Sequence, residues 1–384
     1  MFIVIDGSAL MCQQYYGNLP NEIKFAKTDE EKEQLYDLIP HTEDGIYTNA
    51  ICGYLQTLLG LLYYQGADHI AVCLDTSRET TFRRQIYPEY KAQRQPTPFP
   101  LVQQLQMIRS ITRELGIQVL ESPEFEADDY AGTLARKFEG VEQVCLLTKD
   151  RDYLQLVDDN VHVWLPQPLE KLEKLREKYG ISESCPPGYH EYTKEIVFDE
   201  IGVWPEQIPD WKGISGDPSD NLPGVKGVAD KTAIPLLEEY GTLEAIYGAI
   251  DACMDDEKKE KELVDYWKEK YGLKRSPMKN FKEGKDLGLL CKDVAKIKTD
   301  VPIDERIETY NAPTEFFAFI DLGERYKNVN GNFCMQPLLD MIDRLANQYD
   351  AEHAGENPEE AYEPELGEGM EAVHGEELEA EPEF

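Results

Sequence analysis

No two of the eight cysteines stand as a C-x-x-C pair. Cys12, Cys52, Cys73, Cys145, Cys185, Cys253, Cys291 and Cys334 are scattered, several of them in apolar runs such as IAVCLD and VCLLTKD, where cysteine acts as a small hydrophobe. That pattern argues against a zinc ribbon or a disulfide framework and fits a reducing compartment. An uncharged run of transmembrane length is missing too. The apolar start MFIVIDGSAL has no basic segment before it and is broken by Asp6, so it reads as a buried strand rather than an export signal. The expectation is a cytoplasmic protein, nucleoid-associated or in a host's cytoplasm if the source is viral, without a membrane partner and monomeric. Positive charge is also scarce. Lys and Arg number 39 against 75 Asp and Glu, a net charge of −36. The stretch 350–384 holds 14 acids and no Lys or Arg, which still leaves −22 on the remainder. A partner that is itself a polyanion would need local basic patches, or cations that reverse the sign of the site.

What is present is a foldable chain. With 384 residues, 41% hydrophobic and 10% aromatic, it can bury a substantial core and suits two packed subdomains with a tail. Residues 1–6, HIAVCLD, Ile117–Leu120, VCLLT and VHVWL read as short buried strands, separated by helical patterns. Thr48 stands as a candidate cap for AICGYLQTLLGLLYYQ, which Gly66 ends, and ADDYAGTLARKF is a further helix. This alternation predicts a doubly wound, mostly parallel α/β sheet over residues 1–196. Residues 20–44 look like a charged surface insertion. From about Val197 helices and Gly/Pro turns take over, giving a helical subdomain over 197–345, and 346–384 is compositionally disordered.

The strand ends carry acids. Asp6 follows FIVI, Asp75 follows AVCL, and Asp150 and Asp152 follow CLLT as T-K-D-R-D. Glu126, Asp128 and Asp129 open a helix as E-A-D-D, where the helix dipole favours anions, and Asp217 and Asp220 come as G-D-P-S-D-N. Ligands of doubly wound sheets collect beyond the carboxyl ends of the strands. Singly, such acids are as often caps and turn residues: Asp128 or Asp129 for the helix, Asp220 for the turn at Asn221. Nine converging acids repel one another unless cations neutralise them. Oxygen-only ligands suit Mg²⁺ or Mn²⁺ rather than zinc. Two such ions about 4 Å apart serve phosphodiester displacement by water, which requires no Ser, Cys or His nucleophile.

Ordered motifs then make the chain recognisable. D-G-S, D-T-S-R-E-T-T-F-R-R-Q-I-Y-P-E-Y-K-A-Q-R, E-F-E-A-D-D, T-K-D-R-D, G-D-P-S-D-N-L-P-G-V-K-G-V-A-D-K-T-A and A-K-I-K-T-D-V-P-I-D follow in series over some 320 residues. The chain resembles the 5′ nucleases: the 5′→3′ exonuclease domain of bacterial DNA polymerase I, phage 5′ exonucleases and flap endonucleases. The resemblance implies a PIN-like nuclease domain with a helical arch near 78–100 and a helix-hairpin-helix subdomain. It implies that Asp6, Asp75, Glu126 and Asp128 serve a first metal and Asp150, Asp152 and Asp217 a second. Asp129 and Asp220 support both.

The stretch from Arg78 to Arg94 holds five basic residues (Arg78, Arg83, Arg84, Lys91 and Arg94) against two acids. Ion pairs on a charged face are the plain reading; phosphate contact beside the metals is the functional one. The resemblance sets Arg83 and Lys91 at the base of the arch, as catalytic groups with Asp128 and Asp150. Pro96, Pro98 and Pro100 mark the arch's exit. Of Tyr15 and Tyr16, one is expected in the core, and the resemblance implies that the other stacks on a terminal base, with Tyr15 as the candidate. The turn Gly224-Val-Lys-Gly227 leads into a helix whose N–H groups can hold a phosphate; Lys226, Lys231 and Thr232 are added contacts. In the family this turn often holds a monovalent cation such as K⁺. Ala229 stands where the family usually has Gly, a strained place if φ is positive, and Pro235 falls early in the next helix.

The implied activity is structure-specific hydrolysis of DNA with 5′ ends, flaps or nicks, or of RNA–DNA, leaving a 5′-phosphate, by a nuclease standing apart from a polymerase. One rival is a DNA-binding protein that has lost cleavage. Another is an aspartyl-phosphate phosphatase, but that chemistry wants D-x-D where this chain has D-G-S.

Overall fold

The computed structural model describes residues 1–77, 79–314, 317–327, 338 and 340–344. Arg78 and the acidic stretch 350–384 lie outside them. Six strands form one sheet: β1 (Phe2–Asp6), β2 (His69–Asp75), β3 (Gln118–Ser122), β4 (Val144–Leu147), β5 (Val161–Pro166) and β6 (Tyr189–Tyr192). Their order is β3-β2-β1-β4-β5-β6. All neighbours are parallel except β5 and β6. The first five are the strands expected from the apolar runs. The sixth, YHEY, is four residues long and half polar, too short and mixed for period-2 reading; it exists because its backbone pairs with Val163–Pro166.

Successive residues of β1 point to opposite faces, so Phe2 and Val4 enter one core and Ile3 and Ile5 the other. The second core is closed by the helices Gly7–Gly17, Asn49–Tyr63 and Phe99–Glu114. Thr48 does precede the middle helix, but its hydroxyl donates to Pro40 O rather than capping a helical N–H. The first core includes the helix Ala127–Phe138 and continues without a break into the helical part, through Val197, Ile208, Val225, Leu237, Trp267 and Phe281. A strap over 294–301 sews the two parts together. Gln155 bonds Ala295 O and Ile297 N, Asp129 accepts from Lys298 N, and Thr133 accepts from Val301 N. The late motif A-K-I-K-T-D-V is this strap.

Two local expectations need correcting. Residues 20–44 are more than a surface insertion: they form short helices over Asn21–Phe25 and Asp29–Glu33 and a turn of 3₁₀ helix at Tyr36–Leu38, anchored by buried Ile23 and Ile39. The stretch 79–98 carries a single helix of five residues, Phe82–Ile86, followed by turns, rather than an arch-length helix. Pro88 stops the helix, because proline lacks the donor N–H and restrains Tyr87 before it, and Pro96 and Pro98 keep the chain non-helical before the next helix.

Candidate metal and nucleic-acid site

The chain switches direction between β1 and β4, and the crevice beyond the carboxyl ends of these strands is where a doubly wound sheet leaves room for a ligand. A cleft of about 940 Å³ opens there. Asp6, Asp75, Glu126, Asp128, Asp150, Asp152, Asp217 and Asp220 all line it, together with Lys91, Arg94 and Lys212. Eight of the nine singled-out acids therefore meet.

Each acid is placed by backbone geometry. Asp6 ends β1 and caps the next helix, accepting from Ala9 N at 2.8 Å and from Thr148 Oγ1 at 2.9 Å. Asp75 ends β2; its backbone N–H donates to Ser8 Oγ and its carboxylate accepts from Ala127 N, tying it to the start of the E-A-D-D helix. Asp150 caps the turn that presents Asp152. Asp217 and Leu222 exchange backbone bonds at 2.7 and 2.8 Å, closing the G-D-P-S-D-N loop into a tight hairpin. Asp152, Asp217 and Asp220 each offer one oxygen, all within 4.8 Å of one another. This trio includes Asp220 rather than Asp150.

The crowding shows in proton affinity. Burial, reinforced by Asp75, raises Asp6 to about 7. Burial likewise raises Asp128, Asp152 and Asp220. Glu126 goes the other way: burial pushes it up, but Lys91 and Arg83 outweigh that and hold it at about 2. Burial also pushes Asp217 upward, and Lys212 overcomes it, leaving the carboxyl below its usual range. Donors made only of oxygen, several of them with raised proton affinity for want of a counter-charge, fit hard divalent cations.

The basic stretch sorts into two kinds of residue. Arg83 is 1% exposed. Its guanidinium forks onto both oxygens of Asp129 at 2.8 Å and reaches Glu126 at 2.7 Å, while Nε donates to Val294 O. The expected phosphate contact of Arg83 is thus corrected: its donors are consumed by acids and carbonyls inside the protein. Asp129 is corrected with it, since both its oxygens face Arg83 and it does not line the cleft. Lys91 and Arg94 do reach the cleft, where Lys91 pairs with Glu126 and Arg94 with Asp220, both at 2.9 Å. Lys91 has φ +54, and its N–H donates to Asp220 O. Gln93 donates to Pro218 O and Ser219 O, and Asn221 to Glu89 O, so the basic turn is clamped onto the acidic hairpin. Arg84 pairs with Glu79 beside it.

Tyr15 is 1% exposed and sits in the core, whereas Tyr16, packed edge-on against it, is 50% exposed. The stacking expectation therefore passes from Tyr15 to Tyr16. Helix phase decides between adjacent residues, and the sequence pair alone did not fix that phase. In the Gly-rich turn, Gly224 has φ +62 and is buried so tightly that a Cβ would lie 2.3 Å from Gly216 N; its role is packing rather than exposed N–H contact. Gly227 (φ +80), Lys226 and Lys231 are exposed, and Thr232 is half-buried. Ala229 has φ −117, so the strain expected there does not arise.

Sequence reasoning passed over three residues. Lys212 is buried and pairs with Asp217 at 2.6 Å and with Asp152. Tyr90 donates its hydroxyl to Glu126 at 3.0 Å, and Thr148 holds Asp6. Lys212 lies five residues before Asp217, an offset of roughly one helical turn plus a residue, and that spacing was the available signal.

Residues 1–180 match the family model described as 5′–3′ exonuclease, N-terminal resolvase-like domain, and residues 203–315 match that of the 5′–3′ exonuclease, C-terminal SAM fold. The chain belongs to the 5′–3′ exonuclease family. DNA polymerase I of Mycobacterium tuberculosis is 42% identical over 212 residues, 55% of this chain and 22% of that protein. DNA polymerase I of Bacillus subtilis is 34% identical over 288 residues, 73% of this chain and 28% of that protein. This family member thus spans about a quarter of the polymerases it matches. Among solved structures, T5 5′-exonuclease with divalent metal ions (zinc) bound is similar at a TM-score of 0.51 and 17% identity, covering 89% of this chain and 98% of that one. That likeness shows the shared fold. Among the described residues no helix is long and apolar enough to cross a membrane.

Proposed function

We propose that this chain is a structure-specific 5′ nuclease that hydrolyses DNA phosphodiesters at or near 5′ ends, flaps and nicks, with two divalent cations, Mg²⁺ or Mn²⁺, as resident cofactors. The observation that carries the reading is that eight of the nine singled-out carboxylates line one cleft at the switch point of the sheet, together with Lys91 and Arg94. Asp6, Asp75, Glu126 and Asp128 would hold one cation; Asp152, Asp217 and Asp220, with Asp150 beside them, would hold the other. When bound, the cations supply the charge that stabilises the attacking and leaving oxygens of an in-line displacement.

The chain's own groups do the rest. Lys91 and Arg94, paired with the site acids Glu126 and Asp220, would supply positive charge to the scissile phosphate. Arg83 and Tyr90 hold Glu126, and Arg83 and Asp129 hold the start of the acid helix, so these are positioning residues. Exposed Lys226, Gly227 and Lys231, with Thr232, would contact duplex phosphates without reading sequence, and Tyr16 would stack on a base. A DNA-binding protein that had lost cleavage would have no use for eight carboxylates in mutual repulsion.

The decisive experiment is cleavage of a 5′-flap substrate by the double variant Asp150→Ala, Asp152→Ala across a Mg²⁺ titration. Loss of cleavage is expected at every concentration, and near-normal cleavage refutes the reading. Parallel assays on nicked, gapped, RNA–DNA and single-stranded substrates rank exonuclease against flap action.

A further inference from the structure

Lys212 is given no role in the proposed reaction, yet it pairs with two members of the second acid trio, Asp152 and Asp217. Its helix, Ile208–Ser215, is fixed: Gly213 abuts Gly288 O so closely that a Cβ would lie 2.8 Å away, and Ile214 O accepts from Val225 N. From that rigid base the buried ammonium touches Asp152 Oδ1 and lies 2.6 Å from Asp217 Oδ2. The other oxygen of Asp217 is also committed, accepting from Ser219 N at 2.8 Å and Ser219 Oγ at 2.6 Å. Asp152, Asp217 and Asp220 meanwhile offer oxygens within 4.8 Å of one another. Oxygens around a six-coordinate Mg²⁺ stand about 3 to 4.2 Å apart. The ammonium and a divalent ion therefore compete for the same oxygens.

We propose, resting on the nuclease reading, that Lys212 is an internal cation that holds the place of the second metal ion and must swing out before that ion binds. With the helix packed against Gly288 and bonded to Val225, release is a side-chain rotation into the cleft that Lys212 lines. A substrate phosphate entering there offers the ammonium another anion. Free protein would then take up one divalent ion readily and the second poorly until DNA arrives, which restrains cleavage of unbound or wrongly seated strands.

The test is Mn²⁺ binding to the full metal-free chain without DNA, followed by calorimetry and by the electron paramagnetic resonance of free Mn²⁺. Lys212→Met removes the charge and keeps the length; the weaker binding step should tighten by about tenfold or more. Lys212→Arg keeps the charge and should leave that step weak. If the methionine variant does not fold, Lys212→Gln, which still donates to a carboxylate, gives the same readout. An unchanged second step in the neutral variants overturns the proposal and leaves the nuclease reading standing. Failure of every folded form, wild type included, to bind Mn²⁺ overturns both.

Discussion

At the scale of single residues, the site is held by charges that cannot be removed one at a time. Arg83 is enclosed by Glu126, Asp128 and Asp129, and deleting one partner of such a buried network leaves uncompensated charge. Arg83→Ala should lower unfolding free energy by about 3–5 kcal/mol, read as a lower denaturation midpoint in urea. Arg83→Lys should recover only part of it, because an ammonium cannot fork onto Asp129. Proton linkage gives a second prediction. Folded Asp6 keeps its proton up to about pH 7, against an ordinary value of 3.8, so between those limits the folded state binds more protons than the unfolded one. Stability without metal therefore falls as pH rises through that window, by on the order of 4 kcal/mol for this group. Glu126, held at about 2, acts oppositely: its contribution is present above its ordinary 4.5 and is lost as pH falls toward 2. Thermal melts of metal-free protein from pH 4.5 to 7.5 should show a decline that Mg²⁺ reverses and that Asp6→Asn reduces.

At the scale of elements, the tightest constraint lies where the acidic hairpin meets the Gly-rich turn. Gly224→Ala should cost about 1–2 kcal/mol from left-handed strain alone and more from the collision with Gly216, whereas Ala229→Gly should change the melting temperature little or lower it slightly. Circular dichroism melts of the two variants check both. Five of the six strands and the acids at their ends were legible, because buried parallel strands leave apolar runs and every run ended in a visible turn or acid. The stretch 79–98 was not legible. Its clamp depends on Lys91 N meeting Asp220 O and on Asn221 meeting Glu89 O, groups far apart in the sequence. Periodicity carries no information about such pairings. Arg83 and Lys91 look alike in the chain, yet the fold turns one into the interior and the other toward the cleft. The Tyr15–Tyr16 choice failed for the same reason.

At the scale of the molecule, the proposed function sets a net charge of −36 against binding to a polyanion. The exposed lysines of the turn carry a measurable share of that task under the proposed function. Lys226→Glu with Lys231→Glu should weaken flap binding, and the slope of log K against log salt should shrink by about 0.9 for each phosphate left without its lysine. An unchanged slope would move the duplex track elsewhere.

The strap over 294–301 has a further consequence for anyone wishing to treat the two halves as interchangeable modules. Gln155, Thr133, Asp129 and Arg83 all find partners in it, from Val294 O to Val301 N. A fragment ending near residue 196 would expose those buried polar groups together with the apolar face that shares one continuous core with the helical part. Grafting residues 1–196 onto a foreign helical domain would consequently require transplanting the strap as well.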